Sequence, residues 1–139
     1  MWKMLRAAAI VAASAGCAAD PIPPAPPPEP ARDWWIFFDA GSTAITPTGG
    51  TTISNFAQVA RKATKPRIIL TGHTDRSGGR KHNMALSLRR AEVVKKSLVE
   101  QGIPADAIET VGRGETQPLV RTRDGVKEPQ NRRVEFVIN

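Results

Sequence analysis

The sequence predicts an α+β fold, a two-layer sandwich with element order β-α-β-α-β-β and the helices on one face of the sheet. Three observations predict it. Short apolar runs that stop at turn residues alternate with two stretches of helical periodicity. The last run alternates apolar and polar residues, as a strand with one buried face does. Aromatic residues make up only 5% of the chain and Tyr is absent, so the layers must close on aliphatic side chains.

Each element has its own signal. Trp34-Trp35-Ile36-Phe37-Phe38 is an apolar run halted by Asp39-Ala40-Gly41-Ser42, and reads as a buried strand. Thr46-Pro47 resembles a helix start. Ile53, Phe56, Ala57, Val59 and Ala60 then fall on helical spacing, which predicts a helix over about 48–63, punctuated by Pro66. Residues 67–71 form a second strand closed by Gly72, and residues 73–82 are a polar, glycine-bearing loop. The longest helix runs over about 82–101, with Gly102 at its stop and Pro104 beyond. Residues 107–111 are a third strand. A long loop broken by Gly112, Gly114, Pro118, Gly125 and Pro129 leads to a last strand over 133–138.

Residues 33–139 are therefore the folded domain, and the first 32 residues differ in kind. Lys3 and Arg6 precede a nine-residue run of small and apolar residues, Ala7–Ala15, too short to cross a membrane as a helix. Residues 1–16 read as a secretory signal. Ser14-Ala15-Gly16 leads into Cys17, the chain's one cysteine. This resembles the lipobox of bacterial lipoproteins, with Ser14 where Leu is usual, and marks Cys17 for lipidation. Residues 17–32 then hold the lipidated Cys and seven of the twelve prolines, a solvated tether rather than helix or sheet interior.

Charge and cysteine content exclude several classes. A net charge of +7 favours anionic partners. The folded part keeps 17 basic and 11 acidic residues. One Cys rules out an internal disulfide and a Cys-based zinc site. His73, Asp75 and His82 match no defensible metal spacing, so neither a metal nor another cofactor is expected. The two histidines lack the Ser or Asp context of a nucleophile–base pair, so an enzyme is not expected. Gly112-Arg113-Gly114 precedes Pro118 rather than a helix and is a turn, not a dinucleotide loop. Nucleic acid binding would want a denser basic stripe with stacking aromatics.

The chemistry concentrates on the long helix. At 100° per residue, Asn83, Leu86, Ser87, Arg90, Ala91, Val94 and Leu98 fall within one arc of about 140°. The apolar members mark this face as the one turned to the sheet, and Arg90 lies inside it. A buried guanidinium needs an anion, supplied either internally or by a ligand. The loop Gly72-His73-Thr74-Asp75 brings a carboxylate and free backbone N–H groups to the same end of the helix. A fixed cation, a fixed anion and amide donors suit an amino-acid zwitterion. An internal Asp75–Arg90 salt bridge satisfies the same residues.

Several spaced motifs carry a resemblance. They are Phe37-Phe38-Asp39-x-Gly41-Ser42, Thr71-Gly72-His73-Thr74-Asp75, Asn83-x-x-Leu86-Ser87-x-x-Arg90-Ala91, Gly112-Arg113-Gly114-Glu115 and Asn131-Arg132-Arg133-Val134-Glu135. Together, over residues 35–139, they resemble the peptidoglycan-binding OmpA-like domain. With the lipobox and Pro-rich tether the whole chain is similar to the Pal-like (peptidoglycan-associated) outer-membrane lipoproteins. The resemblance implies a mixed four-stranded sheet in order 1-4-2-3. It also implies a meso-diaminopimelate ligand from the peptidoglycan stem peptide. Asp75 would receive the ε-ammonium and Arg90 the ε-carboxylate. Thr74, Asn83 and Leu86 would line the pocket, and Arg132 and Arg133 match the final basic motif, one adding to the pocket's positive field and the other a pocket residue or a solvated strand residue. It further implies an anchor on the periplasmic face of the outer membrane and, as the alternative function, a protein-interaction subunit that partners a TolB-like propeller in a Tol-Pal type complex, with wall binding secondary. The loop from Arg76 to His82 departs from commoner versions in its charge.

Overall fold

The computed structural model of the chain describes Gly16 and residues 34–139. The predicted signal, Cys17 and the Pro-rich tether lie outside the described residues.

Strand β1 is Trp34–Phe37 and helix α1 is Pro47–Lys62. Thr46 caps α1, its Oγ1 accepting from the Gly49 N–H at 3.1 Å, and Pro47 takes the first helical position, where a missing N–H costs nothing. Strand β2 is Ile68–Gly72 and helix α2 is Arg80–Glu100. α2 begins two residues before the sequence expectation because Gly79 serves as its cap, with no side-chain cap bond. Its end follows the left-handed glycine rule. Gly102 has φ 92°, its N–H bonds Val99 O at 3.0 Å, and the Ile103 N–H bonds Leu98 O at 3.1 Å. A single 3-10 turn, Ala105–Ala107, leads into β3, Ile108–Gly112. A second, Pro129–Asn131, leads into β4, Arg133–Ile138.

The sheet order is β1-β4-β2-β3. β4 runs antiparallel to both β1 and β2, and β2 runs parallel to β3, with α2 as the crossover. The sheet is thus mixed, in the implied order. Period-2 alternation splits β4 between two environments. Val134 and Phe136 face the helices and are buried, while Arg133, Glu135 and Val137 face the side that carries no helix. The core joins Ile36 and Phe38 to Ile53, Phe56, Leu70, Val94, Leu98, Val134 and Phe136. Phe56 meets Trp34 and Phe136 edge-on, with ring centroids 5.6 and 5.0 Å away. Among the described residues, no helix is long and apolar enough to cross a membrane.

Two paired glycines set how closely α2 lies on the sheet. Gly72 and Gly112 are partners across β2 and β3. A Cβ on Gly72 would sit 1.8 Å from the Ser87 carbonyl oxygen, and one on Gly112 would sit 2.9 Å from Ser87 Oγ. Only glycines let the middle of the site-bearing helix touch the strands.

Gly72→Ala should therefore destabilise the fold by more than about 3 kcal/mol, since the obstacle is backbone and not a movable side-chain tip. Gly50→Ala, inside α1 with open space around the added carbon, should stabilise by about 0.5–1 kcal/mol. Urea unfolding of both variants checks the pair. Equal effects would mean that the approach of α2 is not limited at Gly72.

Candidate functional site

The site lies at one end of the sheet, where the chain leaves β1 and β2 and enters β4, and where α2 begins. Arg90 projects from α2 and is fully buried. Its guanidinium is held by three backbone carbonyls: Nε donates to Ser42 O at 2.9 Å, Nη1 to His73 O at 3.0 Å and Nη2 to Asp39 O at 3.0 Å. These carbonyls belong to residues just past β1 and β2, where ladder partners have run out. The Phe38 ring lies under it, 5.3 Å from Cζ. Burial pushes the Arg90 pKa down to about 10; the Asp75 charge partly offsets this and Arg132 adds to it. Arg90 remains a cation at neutral pH. Among the described residues it has no carboxylate partner within 4.0 Å.

Asp75 follows β2 and is also buried. Its Oδ1 accepts from Ser77 Oγ at 2.6 Å and from the Ser77 N–H at 3.1 Å. Its Oδ2 accepts from the Glu128 N–H and from Arg132 Nη1, both at 3.3 Å. Burial by itself would raise the Asp75 pKa. The bonds from Ser77, Arg132 and Glu128 outweigh it and hold the carboxyl below the ordinary carboxylate range. The internal salt bridge is therefore Asp75–Arg132, not Asp75–Arg90.

Three further expected residues gather here. Asn83 donates from Nδ2 to Asp75 O at 3.2 Å and to Gly78 O at 3.0 Å, which shapes the loop before α2. Thr74 is buried, and its hydroxyl has no hydrogen-bond partner among the described residues. Leu86 is buried one turn before Arg90 on the same face. Ser87, a hydrogen-bonder on that face, is spent on structure. Its Oγ donates to Met84 O and accepts from the Gly114 N–H, both at 2.8 Å.

The two arginines of the final motif part company. Arg132 enters the site, with Nε on Phe38 O at 2.9 Å and Nη1 on Asp75. Arg133 points to the opposite face of the sheet, because successive β residues alternate. There it is buried against Trp35, 5.8 Å from the ring, and pairs with Glu135 at 2.7 Å. It is neither beside Asp75 and Arg90 nor a solvated strand residue. His73 lies on the same opposite face, with Nε2 3.5 Å from Glu135. Burial first, and then the Arg133 charge, push its pKa down to about 4 against the opposing pull of Glu135. So His73 contributes to the site through its carbonyl alone.

The sequence did not reveal the three carbonyls around Arg90, because a backbone acceptor has no side-chain signature. Ser77 was legible in principle: an Asp followed two residues later by Ser is an Asx-turn pattern. Arg76 has a structural role. It pairs with Asp124, donates from Nη1 to Thr122 O at 2.9 Å, and its own carbonyl accepts from the Gly125 N–H at 2.7 Å. Together with fully buried Asn131, whose amide bonds both N–H and C=O of Val120, it straps the long 113–131 loop beside the site.

Comparison with known proteins places this geometry. An outer membrane protein of Gluconacetobacter diazotrophicus is 40% identical over 118 residues, covering 81% of this chain and 31% of that protein. A peptidoglycan-associated lipoprotein of Rhizobium meliloti is 35% identical over 103 residues, covering 74% of this chain and 58% of that one. The chain spans 31–60% of the length of the curated relatives it matches. The crystal structure of the peptidoglycan-associated lipoprotein from Burkholderia pseudomallei superposes with a TM-score of 0.70 at 28% identity, covering 76% of this chain and 89% of that one. The OmpA family model matches residues 37–132, which hold the carbonyl cage, Asp75, the whole of α2 and Arg132: this chain belongs to the OmpA family.

Proposed function

We propose that the chain binds peptidoglycan non-covalently, through the meso-diaminopimelate of the stem peptide, and catalyses nothing. The observation that carries this reading is Arg90, a buried cation whose three internal partners are all neutral carbonyls. A guanidinium has five N–H groups, so one remains on each of Nη1 and Nη2, the pair a bidentate carboxylate takes. Asp75, on the same loop as the unpartnered Thr74 hydroxyl, is the complementary anion. In this structure its Oδ2 is occupied by Arg132. The ligand's ammonium takes that place, and Arg132 moves with its charge toward the ligand's carboxylates. Arg133 has no part in the pocket. The relatives named peptidoglycan-associated lipoproteins support peptidoglycan as the partner.

The anchoring half of the function rests on Cys17. Lipidated there and joined by the 17–32 tether, the domain would be held at the periplasmic face of the outer membrane and tie that membrane to the wall. A TolB-like propeller is kept as a secondary partner of the loop end of the domain, competing with sacculi for it.

Arg90→Ala should abolish sedimentation with isolated sacculi. It also leaves the Ser42 and His73 carbonyls unpaired, at about 1–3 kcal/mol each, while the Asp39 carbonyl keeps the Ser42 N–H, so its melting must be followed in parallel. Asp75→Asn is the cleaner variant. It keeps the shape and the two bonds from Ser77, loses the two that Oδ2 accepts from the Glu128 N–H and Arg132, and should weaken sacculus binding at least ten-fold in a protein whose melting is followed alongside. Arg89→Ala, on the exposed side of α2, should bind as wild type does. If Asp75→Asn sediments like wild type, the site is misassigned.

The pocket should also discriminate between walls. A lysine stem peptide carries the ammonium and lacks the carboxylate, so it would occupy Asp75 and forgo the charge-assisted pair with the two remaining Arg90 N–H groups. That costs on the order of 2–5 kcal/mol, or about thirty-fold or more in affinity. Calorimetry with the two stem peptides measures it, and equal affinities would refute the ligand assignment.

Cys17→Ser should move the protein from the membrane fraction to the soluble periplasm. If wild type is already soluble, the lipobox reading fails.

A further inference from the structure

The buried side-chain polar atoms without a hydrogen bond among the described residues are not scattered. They are both ring nitrogens of His73, the hydroxyl of Thr74 and Nη1 of Arg133. His73 and Thr74 are consecutive, and the His73 N–H bonds Arg133 O at 2.8 Å. Nearly every buried polar group in a folded protein finds a partner, so orphans gathered at one junction mark a weak point of the fold. An opened junction, wetted by solvent, recovers the hydrogen bonds that the closed one forgoes.

This junction is where the chain leaves β2 for the site. The His73 carbonyl accepts from Arg90 Nη1 at 3.0 Å, the Thr74 N–H bonds Gly114 O at 2.9 Å, and Asp75 follows. The carbonyl of His73 thus helps to hold the buried cation, while its imidazole packs into the helix-free face of the sheet with 2% of the side chain exposed. The charged groups facing that imidazole are Arg133 and Glu135 from β4 and Arg113 just past β3. Glu135 comes within 3.5 Å of Nε2 without a formed hydrogen bond. A proton on the ring would add a third cation to two guanidiniums, beside one carboxylate and away from water. Neutral His73 fits this packing and imidazolium does not.

We propose that His73 is an acid-operated latch: a proton on its imidazole holds the end of β2 open, withdraws the His73 carbonyl from Arg90, displaces Asp75 and so releases the wall ligand. The inference rests on the ligand site proposed above and adds its regulation. The direction follows from linkage. Burial first, and then the Arg133 charge, lower the pKa of the closed form from 6.5 to about 4. The depressed value favours the closed junction in full above pH 6.5, and that advantage is lost progressively as pH falls to 4. From pH 8 to pH 5 the ratio of opened to closed junction should rise about thirty-fold. Asp75, held below the ordinary carboxylate range, keeps its charge over this window.

Amide hydrogen exchange of the purified full chain reads the opening. After correction for the intrinsic pH dependence of exchange, protection of the His73 and Thr74 amides should fall about thirty-fold between pH 8 and pH 5. In His73→Phe, which keeps a ring and takes no proton, it should change less than about three-fold. His73→Gln serves if His73→Phe melts early. His82, exposed at the start of α2, is present in all three proteins and cancels in the comparison. The same proteins are then sedimented with isolated sacculi. Wild type should bind more weakly at pH 5 than at pH 8. The ratio of the two affinities within each variant should stay closer to one, whatever its affinity at pH 8. Equal wild-type protection at the two pH values overturns the latch, and so does a fall that survives in both variants. Opening in acid with sacculus binding unchanged overturns its control of the site. Wild type that fails to sediment at pH 8 overturns the ligand reading instead, and the exchange arm still decides the latch.

Discussion

The structure is organised around one buried cation. Arg90 is fully enclosed on a helix face that otherwise packs against the sheet. A guanidinium in that position is tolerable only if its N–H groups are satisfied. Ser42, His73 and Asp39 satisfy three of them with carbonyls from two different connections. The cost of burying the charge thereby becomes a constraint on the loops. The turn after β1 and the turn after β2 are both fixed to α2 by the same side chain. α2 in turn lies close enough for these bonds because Gly72 and Gly112 present no Cβ to it.

The carbonyl cage neutralises polarity but not charge. Carbonyl dipoles stabilise the cation, yet the site keeps a net positive element with unused N–H groups. The nearby anion, Asp75, is turned to Arg132 instead. This arrangement separates two jobs that a single Asp–Arg pair would merge. One arginine, Arg90, is fully enclosed and ties two connections to α2. The other, Arg132, is partly exposed and bonds Phe38 O at 2.9 Å and Asp75 at 3.3 Å.

The same residues connect the closed site to the open edge of the sheet. Phe38, Asp39 and Arg132 serve the buried cation on one side and line a cleft along β1 on the other. The opposite face of the sheet is separate in character. There Arg133, Glu135 and His73 form a compact group over Trp35, reaching the site only through the His73 backbone.

The sequence by itself determined much of this. Apolar periodicity located both helices and all four strands to within a few residues, because burial on one face is a local pattern. The Gly102 stop and the Thr46-Pro47 start were legible for the same reason: caps are written in adjacent residues. Arg90 was legible as an anomaly, a charge inside an apolar arc. Composition and periodicity alone could not place β4 between β1 and β2, since that order depends on pairings across about 65 and 100 residues of chain; the family resemblance supplied it. Tertiary structure alone decided which group satisfies Arg90, because backbone carbonyls are the same at every position. It also decided that Arg132 rather than Arg90 pairs with Asp75, and that Arg132 and Arg133 serve opposite faces. Neighbours of one residue type are indistinguishable in sequence until the pleat of a strand assigns them to different sides.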